Sequence, residues 1–275
     1  MPELPEVETT RVGLLPKLVG RHIQRVAVRD ARLRWPIPAN LGAALKGRLV
    51  RNVLRRGKYL IWDVGSDKQG GFLLCHLGMS GSMFAVSAGL APGKHDHVDF
   101  LLDDESAIRF HDPRRFGAIL WIPGPTPTHP LLDNLGPEPL GQEFSGEHLF
   151  RLSRGRSISV KEFTMNAQIV VGVGNIYASE SLFAAGIRPT IAAGRISRSR
   201  YDALAGSIRQ TLSNAISAGG SSLRDYVQAD GQFGYFQLKA MVYGRGGKDC
   251  RRCEATIRVI RQGQRSTFYC PRCQT

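Results

Sequence analysis

The pattern of apolar and polar positions divides the chain into a β-rich first half and a helical second half. Residues 5–20 (PEVETTRVGLLPKLVG) carry apolar residues at helical spacing after a proline, which predicts a short helix. From about 22 to 122, short β-rich runs recur between Gly, Asp and Ser clusters: HIQRVAVRD, RLVRNVLRRGKYLIWDV, GGFLLCHLG, HVDFLLDD, AIRFHD and GAILWIP. Strands this short and this frequent predict a β-sandwich or barrel.

Proline marks the boundary between the two halves. Residues 123–140 (PGPTPTHPLLDNLGPEPL) are rich in proline and indicate an interdomain linker. Helical spacing dominates from about 143 to 217, and a polar stretch with aromatics follows over 219–237 and predicts a loop. We therefore predict a β domain over 1–130, a linker over 131–142, a helical domain over 143–237 and a separate C-terminal unit over 238–275.

The net charge of the chain indicates a class of partner. Among 275 residues, Lys and Arg number 37 and Asp and Glu number 23, which gives a formal net charge of +14. A basic surplus of this size favours a polyanionic partner, although it does not separate DNA, RNA and an anionic membrane, and a protein that is merely basic is the alternative. No run approaches the roughly 20 apolar residues of a membrane span, and the acidic N-terminal sequence has no apolar signal core, so we expect neither a membrane protein nor a secreted one.

The cysteines indicate a metal site. Two C-x-x-C pairs stand sixteen residues apart, and the segment between them (EATIRVIRQGQRSTFY) predicts two strands around a Gln-Gly turn: Cys250, Cys253, Cys270 and Cys273. Two disulfides are the alternative, which an intracellular, reducing compartment disfavours. Four thiolates leave no open coordination position, so we predict one structural Zn²⁺ that supplies the folding energy of a small cationic β-hairpin. The fifth cysteine, Cys75, lies in an apolar run and is predicted to be a core thiol.

The N-terminal sequence MPELPE contains a candidate nucleophile. Removal of the initiator Met would leave a free secondary amine on Pro2, which could attack a carbonyl-like carbon and form an iminium. Glu3 would then stand beside it as a carboxyl acid or base. The alternative is structural, because Pro-Glu runs begin many proteins and Glu6 favours the start of a helix.

Three further motifs are each unspecific when taken alone. RGKYL (56–60) places a lysine before an apolar strand, HDPRRFG (111–117) is a turn with two cations and an aromatic, and GVGNIY (172–177) leads into a helix. The last offers backbone N–H groups at a helix start, where phosphate binds well. Together with MPELPE, LGMSG (77–81), GVGNIYASE and the four-cysteine hairpin, they resemble the formamidopyrimidine-DNA glycosylase family, in order and over essentially the whole chain. The endonuclease VIII group shares the Pro-Glu start and the finger but is less similar, because MPELPE and LGMSG follow the first family.

The resemblance implies a multidomain α and β fold: an N-terminal β-sandwich with an N-terminal helix, a helical domain with a helix–two-turn–helix, and a four-cysteine zinc-finger β-hairpin. It implies a monomeric, cytoplasmic, nucleoid-associated bacterial enzyme of base-excision repair. Such an enzyme removes oxidised purines (8-oxoguanine and formamidopyrimidines) from double-stranded DNA and cleaves the abasic strand by β,δ-elimination.

The resemblance also assigns roles to individual residues. Pro2 would attack C1′ of the damaged nucleotide, Glu3 would relay protons, and Lys58 and Arg265 would contact phosphate and assist β- and δ-elimination. A secondary catalytic role falls to Glu6. The matched DNA contacts are His95, Arg115, Lys161, Gly174 and Asn175, and the wedge that would fill the space left by an everted base comprises Met79, Arg114 and Phe116.

The lesion-recognition loop of the family matches residues 219–237, where Tyr235 and Phe236 could pack or stack on the base. Without the resemblance, core packing would be the preferred interpretation of Met79 and Phe116.

Two positions depart from the family pattern. Met165-Asn166-Ala167-Gln168 lacks the carboxylate that often follows the methionine, and Ser157 stands where a lysine is common. Arg154, Arg156 and Lys161 are candidates to replace that charge. These departures put only the lesion preference in doubt.

The sequence is also compatible with other functions. The alternatives are a catalytically silent damage-binding protein on the same scaffold, an endonuclease VIII-like specificity for oxidised pyrimidines, and an RNA-binding zinc-ribbon protein. The last would favour stacking aromatics, whereas aromatic residues make up only 8% of the chain.

Overall fold

The computed structural model describes residues 2–65, 70–220 and 240–275, and the chain divides into two compact units between residues 133 and 134. The N-terminal unit contains the described residues up to 133 together with residues 219–220. The C-terminal unit contains residues 134–218 and 240–275.

The described residues up to 123 form one long helix, one short helix and eight antiparallel strands. These elements are α1 (Leu4–Leu18), β1 (His22–Val28), α2 (Leu41–Leu45), β2 (Arg48–Arg56), β3 (Tyr59–Gly65), β4 (Gly70–His76), β5 (Ser82–Ser87), β6 (Asp96–Leu102), β7 (Ser106–His111) and β8 (Ala118–Pro123). The helix predicted over 5–20 is confirmed as α1. The sequence pattern did not distinguish β5 and α2, because each is only five or six residues long and offers little periodicity.

The strands form a β-sandwich, as predicted. Their order is β5-β7-β6-β1-β2-β3-β4-β8, and the two halves join where β1 and β2 share a short pairing of His22 with Leu49 and Ile23 with Arg48. The halves pack face to face, which brings the Trp62 ring on β3 within 4.9 Å of the Phe100 ring on β6. Helix α1 contributes apolar side chains to the same core, which also contains the predicted core thiol of Cys75.

The C-terminal unit is helical around a second core. The short helix α3 (Pro130–Asp133) ends just before this unit. The elements of the C-terminal unit are α4 (Gly146–Ser153), α5 (Val160–Met165), α6 (Asn175–Ala184), a 3₁₀ turn (Ala193–Arg195) and α7 (Arg198–Ser217). Serine side chains cap three of these helices, at Ser145, Ser159 and Ser197. In the described ranges, no helix is both long and apolar enough to cross a membrane.

A two-stranded hairpin completes the C-terminal unit. Strands β9 (Arg258–Gln262) and β10 (Arg265–Tyr269) pair in register, with Arg265 opposite Gln262. The turn therefore consists of Gly263 and Gln264, one residue later than the predicted Gln-Gly turn. Both have positive φ (48° and 67°), the combination that a type I′ hairpin turn requires.

Candidate active site and zinc centre

The start of α1 holds the candidate nucleophile in a buried setting. Pro2 is buried, and Glu3 and Glu6 are 1% and 2% exposed. The Glu3 N–H donates to the Glu6 carboxylate at 2.8 Å, so Glu6 fixes the backbone beside Pro2. A Cβ on Gly220 would lie 3.4 Å from the Glu6 Cα, so Gly220 packs against the same turn.

Lys58 lies in the tight turn between β2 and β3. Arg55 stabilises this turn, because its guanidinium donates to the Gly57 carbonyl at 3.0 Å and to the Glu8 carboxylate at 2.8 Å. Arg11 donates to the same Glu8 carboxylate at 2.6 Å. Although burial alone would raise it, the pKa of Glu8 is lowered because both guanidinium groups favour the charged carboxylate. Glu8 thus links α1 to the strand that precedes Lys58.

A cavity of about 170 Å³ opens beside this turn, within the N-terminal unit. Its lining comprises Arg34, Trp35, Tyr59, His76, Phe116, Ala118 and Leu131. Tyr59 and His76 are paired across β3 and β4, with ring centroids 4.9 Å apart. Burial, and after it the charges of Lys58 and Arg34, together lower the pKa of His76 to about 4. The cavity is therefore a cationic, aromatic-lined recess in which His76 is neutral at pH 7.

The candidate wedge residues project from two neighbouring loops. Met79 and Phe116 are 40% and 42% exposed, which excludes the core-packing interpretation of these side chains. The Arg114 guanidinium lies over the Phe116 ring at 4.8 Å from its centroid. Arg115 has φ of 57°, in the left-handed region, and its guanidinium pairs with Asp30 at 3.2 Å. The ring of His95, just before β6, lies 6.0 Å from that of His111.

In the C-terminal unit, Lys161 and Asn175 belong to one network. Lys161 on α5 is 1% exposed, and its Nζ donates to the Asn175 Oδ1 and the Thr267 Oγ1, each at 2.6 Å. The Asn175 amide in turn donates to the Ser266 carbonyl at 3.0 Å. Gly174 is the N-cap of α6. The ammonium group of Lys161 thus connects α5, the start of α6 and strand β10, whose first residue is the exposed Arg265.

The four predicted zinc ligands come together. Their Sγ atoms all lie within 4.8 Å of one another, with Cys250 and Cys273 3.9 Å apart and Cys253 and Cys270 3.4 Å apart. A tetrahedron with Zn–S bonds of about 2.3 Å requires sulfur separations of about 3.8 Å, so the donor set fits one zinc ion. The N–H groups of Arg252 and Cys273 donate to the Cys250 and Cys270 sulfurs at 3.4 Å. The site is closed and structural, as predicted.

The hairpin is also anchored through residues that sequence analysis did not single out. The Glu180 carboxylate on α6 accepts the N–H groups of Met241, Val242 and Tyr243 at 2.8–3.0 Å. The buried Gln274 accepts the Cys270 N–H and donates to the Ile187 carbonyl. Their partners lie more than sixty residues away or in irregular backbone, so no local pattern could have revealed them.

Two more residues were missed in the N-terminal unit. His76 stands directly before the LGMSG motif, and Asp112 stands inside HDPRRFG; both motifs were noted for other side chains. The aspartate is fully buried between two loops. The predicted lesion-recognition loop lies outside the described residues except for Gly219 and Gly220, and so do Tyr235 and Phe236.

Family models match three successive parts of the chain. Residues 1–119 match the formamidopyrimidine-DNA glycosylase N-terminal domain, residues 135–227 match the formamidopyrimidine-DNA glycosylase H2TH domain, and residues 247–275 match a zinc finger found in FPG and IleRS. These matches cover the β-sandwich, the helices and the hairpin in the order that the fold shows.

Similar proteins match the chain from end to end. The formamidopyrimidine-DNA glycosylase of Stutzerimonas stutzeri is 57% identical over 100% of both chains. A complex of a Lactococcus lactis Fpg variant with Fapy-dG-containing DNA is 32% identical, with a TM-score of 0.90 over 100% of both chains. A complex of the Lactococcus lactis Fpg with abasic-site DNA is 32% identical, with a TM-score of 0.89 over 99% of both chains. The chain belongs to the formamidopyrimidine-DNA glycosylase family of DNA-repair enzymes.

Proposed function

We propose that this DNA glycosylase excises oxidised purines, 8-oxoguanine and formamidopyrimidines, from duplex DNA and then cleaves the abasic strand by β,δ-elimination. The observation that carries the proposal is the buried Pro2-Glu3 pair, held by Glu6 at the start of α1, in a chain that matches the family throughout. The net charge of +14 supports a polyanionic substrate. Relatives of known structure were solved with Fapy-dG-containing and abasic-site DNA.

The proposed chemistry begins at the amine of Pro2. Once the initiator Met is removed, the amine attacks C1′ of the damaged nucleotide, the N-glycosidic bond breaks, and the base leaves with the proton that the amine loses. The C1′–O4′ bond then breaks, O4′ takes up a proton, and the nitrogen lone pair forms the C1′ iminium. The resulting iminium acidifies the C2′ proton, so the C3′–O bond breaks in β-elimination and the C5′–O bond in δ-elimination. Hydrolysis of the iminium then returns the free amine. In this proposal the Glu3 carboxyl, which is 1% exposed, relays protons.

Other residues would position the DNA. Lys58 and Arg265 contact the phosphates that leave, and the start of α6 at Gly174 and Asn175 offers backbone N–H groups to a further phosphate. The zinc ion supplies no chemistry; when bound, it holds the hairpin that presents Arg265. Lys161, buried in the network with Asn175, acts by positioning these groups. His95 and Arg115 are proposed as further phosphate contacts.

We also propose that the enzyme works as a monomer on bacterial DNA in the cytoplasm. Residues 1–130, 143–237 and 238–275 would act as its catalytic, DNA-binding and zinc-finger domains, and 131–142 as the linker. The glycines at 219 and 220 would lead into the loop that closes over the everted base.

Borohydride trapping tests the proposal. The substrate is a duplex with one 8-oxoguanine opposite cytosine, and a parallel duplex carries an oxidised pyrimidine. Wild-type protein should form a covalent adduct that maps to Pro2, and Pro2→Gly should bind the duplex but form little adduct. The matched control is Pro16→Ala, which changes an exposed proline of the same helix and should trap normally.

Each contrary outcome identifies one alternative. Tight lesion binding without an adduct would indicate a silent damage-binding protein. Preferential trapping on the pyrimidine lesion would indicate an endonuclease VIII-like specificity. Full excision by Pro2→Gly would refute the assignment of the nucleophile.

A further inference from the structure

Two loops of the N-terminal unit are in direct backbone contact. The first, residues 77–81, joins β4 to β5, and the second, residues 112–117, joins β7 to β8. Gly78 has φ of 67°, and a Cβ at this position would lie 2.5 Å from the Phe116 carbonyl carbon and 2.6 Å from the Gly117 nitrogen. Only glycine permits both this backbone angle and this approach. The loop that carries Met79 therefore rests on the loop that carries Phe116.

A buried carboxylate joins the two loops. Asp112 is 0% exposed; its Oδ1 accepts the hydroxyl of Ser80 at 2.9 Å, and its Oδ2 accepts the Gly117 N–H at 2.8 Å. The Arg114 N–H lies 3.3 Å from both the Ser80 hydroxyl and the Asp112 Oδ1. A buried carboxylate is stable only when it is well hydrogen-bonded, and here the partners come from both loops.

The main chain of Asp112 extends this arrangement to a third segment. Its N–H donates to the His95 carbonyl at 3.0 Å, and its carbonyl lies 2.8 Å from the His97 Nε2. The backbone around Asp112 is thus fixed from both sides, which leaves the carboxylate little freedom to follow a moving loop.

The side chains carried by this rigid backbone remain outside it. Met79 and Phe116 are exposed, and the Arg114 guanidinium lies over the Phe116 ring. Apolar side chains that stay exposed on a rigid backbone do not contribute to a core, and they suit insertion into a stack of bases.

We propose that Asp112, together with Ser80, is a positioning residue that holds Met79, Arg114 and Phe116 as one preformed wedge for base eversion. The inference rests on the proposed function and on the wedge role that the family resemblance implies for these three side chains. Insertion costs unstacking energy, and a mobile wedge would lose additional conformational entropy on insertion. The hydrogen bonds of Asp112 and Ser80 therefore act on the step that opens the duplex and not on the amine chemistry.

Two variants weaken the hydrogen bonds between the two loops by different amounts. Ser80→Ala removes the hydroxyl that bridges the loops. Asp112→Asn keeps the size of the side chain but turns one of its oxygens into an N–H₂ group, either against the Gly117 N–H or against the Ser80 hydroxyl. The matched controls are Ser106→Ala and Asp104→Asn, because Asp104 accepts the Ser106 hydroxyl at 2.6 Å and its N–H at 3.2 Å in the β6–β7 turn of the same unit.

Each variant is assayed on two substrates. On a duplex with 8-oxoguanine opposite cytosine, kcat/KM should fall about tenfold for Ser80→Ala and about a hundredfold for Asp112→Asn, the range expected for buried hydrogen bonds. On a single strand with an abasic site, where no base leaves a stack, trapping rates should stay within about twofold of wild type. The controls should match wild type on both substrates.

A fluorescence assay follows eversion directly. A 2-aminopurine next to the lesion brightens when the stack opens, and this phase should slow in both variants by the same factors as excision. The signal does not require amine chemistry, so it tests the wedge even if the protein cleaves nothing, while a missing wild-type adduct counts against the proposed function alone. If Asp112→Asn does not fold, Ser80→Ala decides the result.

Two results would overturn the inference. One is a normal 2-aminopurine phase in Ser80→Ala. The other is an equal loss on the duplex and on the single strand, which would mean that the carboxylate supports the whole unit and not the wedge.

Discussion

The neutral state of His76 should make the stability of the β domain depend on pH. The pKa of His76 is about 4 in the folded protein, because the side chain is partly buried and Lys58 and Arg34 are nearby. Its Nδ1 also accepts the Gly78 N–H at 2.9 Å, a bond that protonation at this nitrogen would destroy. In the unfolded chain the pKa returns to about 6.5.

The direction of this pH dependence follows from proton binding in the folded and unfolded chains. Between pH 6.5 and pH 4 the unfolded chain binds a proton at this histidine and the folded chain does not, so the free energy of unfolding falls as the pH falls. The full effect of a shift from 6.5 to about 4 is about 3 kcal/mol, of which about 2 kcal/mol is lost between pH 7 and pH 5. Above pH 7 this group contributes no further pH dependence.

The measurement uses the three tryptophans, which all lie before the unit boundary, at Trp35, Trp62 and Trp121. Urea unfolding followed by tryptophan fluorescence therefore reports on the β domain. His76→Gln removes the titrating group, and the amide oxygen of glutamine can still accept the Gly78 N–H. Wild type should lose about 2 kcal/mol more than this variant between pH 7 and pH 5.

A second histidine provides the control. His129 Nδ1 accepts the Leu131 N–H at 3.1 Å, the same local bond at a position outside the cavity. Between pH 7 and pH 5, His129→Gln should lose as much unfolding free energy as wild type, because it leaves His76 in place. If wild type and His76→Gln lose stability in parallel, within about 0.5 kcal/mol, burial of a neutral His76 is refuted.

The other predictions concern the C-terminal unit. Lys161→Met should destabilise the junction of α5, α6 and β10 by about 2–4 kcal/mol, because the hydrogen bonds lost are worth more than the desolvation cost that the substitution removes. Zinc release in urea should therefore begin earlier than in Lys248→Met, an exposed control, and unchanged release would contradict the network. Cys270→Ser should bind no zinc by metal analysis, whereas Cys75→Ala, which alters a thiol outside the site, should retain one zinc ion per chain. Arg265→Ala should weaken binding of lesion duplex and reduce the slope of log K against log salt by about 1, and an unchanged slope would exclude a phosphate contact.

Sequence patterns predicted those features that depend on near neighbours. The two C-x-x-C pairs set the zinc site because each knuckle is local, and the spacing allows one hairpin between them. The strands of the sandwich and helix α1 were predicted by periodicity. Family resemblance then placed Pro2, Glu3 and Lys58 on elements whose type was already clear.

Features that depend on distant contacts were not predicted. Asp112 was noted within a cationic motif, but its role depends on Ser80, thirty-two residues earlier, and on a backbone approach at Gly78. Lys161 was interpreted as a DNA contact, and its burial depends on Thr267, 106 residues later. A lysine on a short helix usually faces solvent, so only the fold reveals that this one bonds internally.

The two departures from the family pattern can now be interpreted in physical terms. The Asn166 Oδ1 accepts the Gln168 N–H at 2.9 Å, the bond that a carboxylate would accept in the same turn, so the amide removes a negative charge without removing the hydrogen bond. Near Ser157, the guanidinium groups of Arg154 and Arg156 donate to the Phe150 and Leu152 carbonyls at the end of α4. These arginines therefore complement a helix C-terminus. It follows that any altered lesion preference at Asn166 must arise from charge rather than from a rearranged backbone.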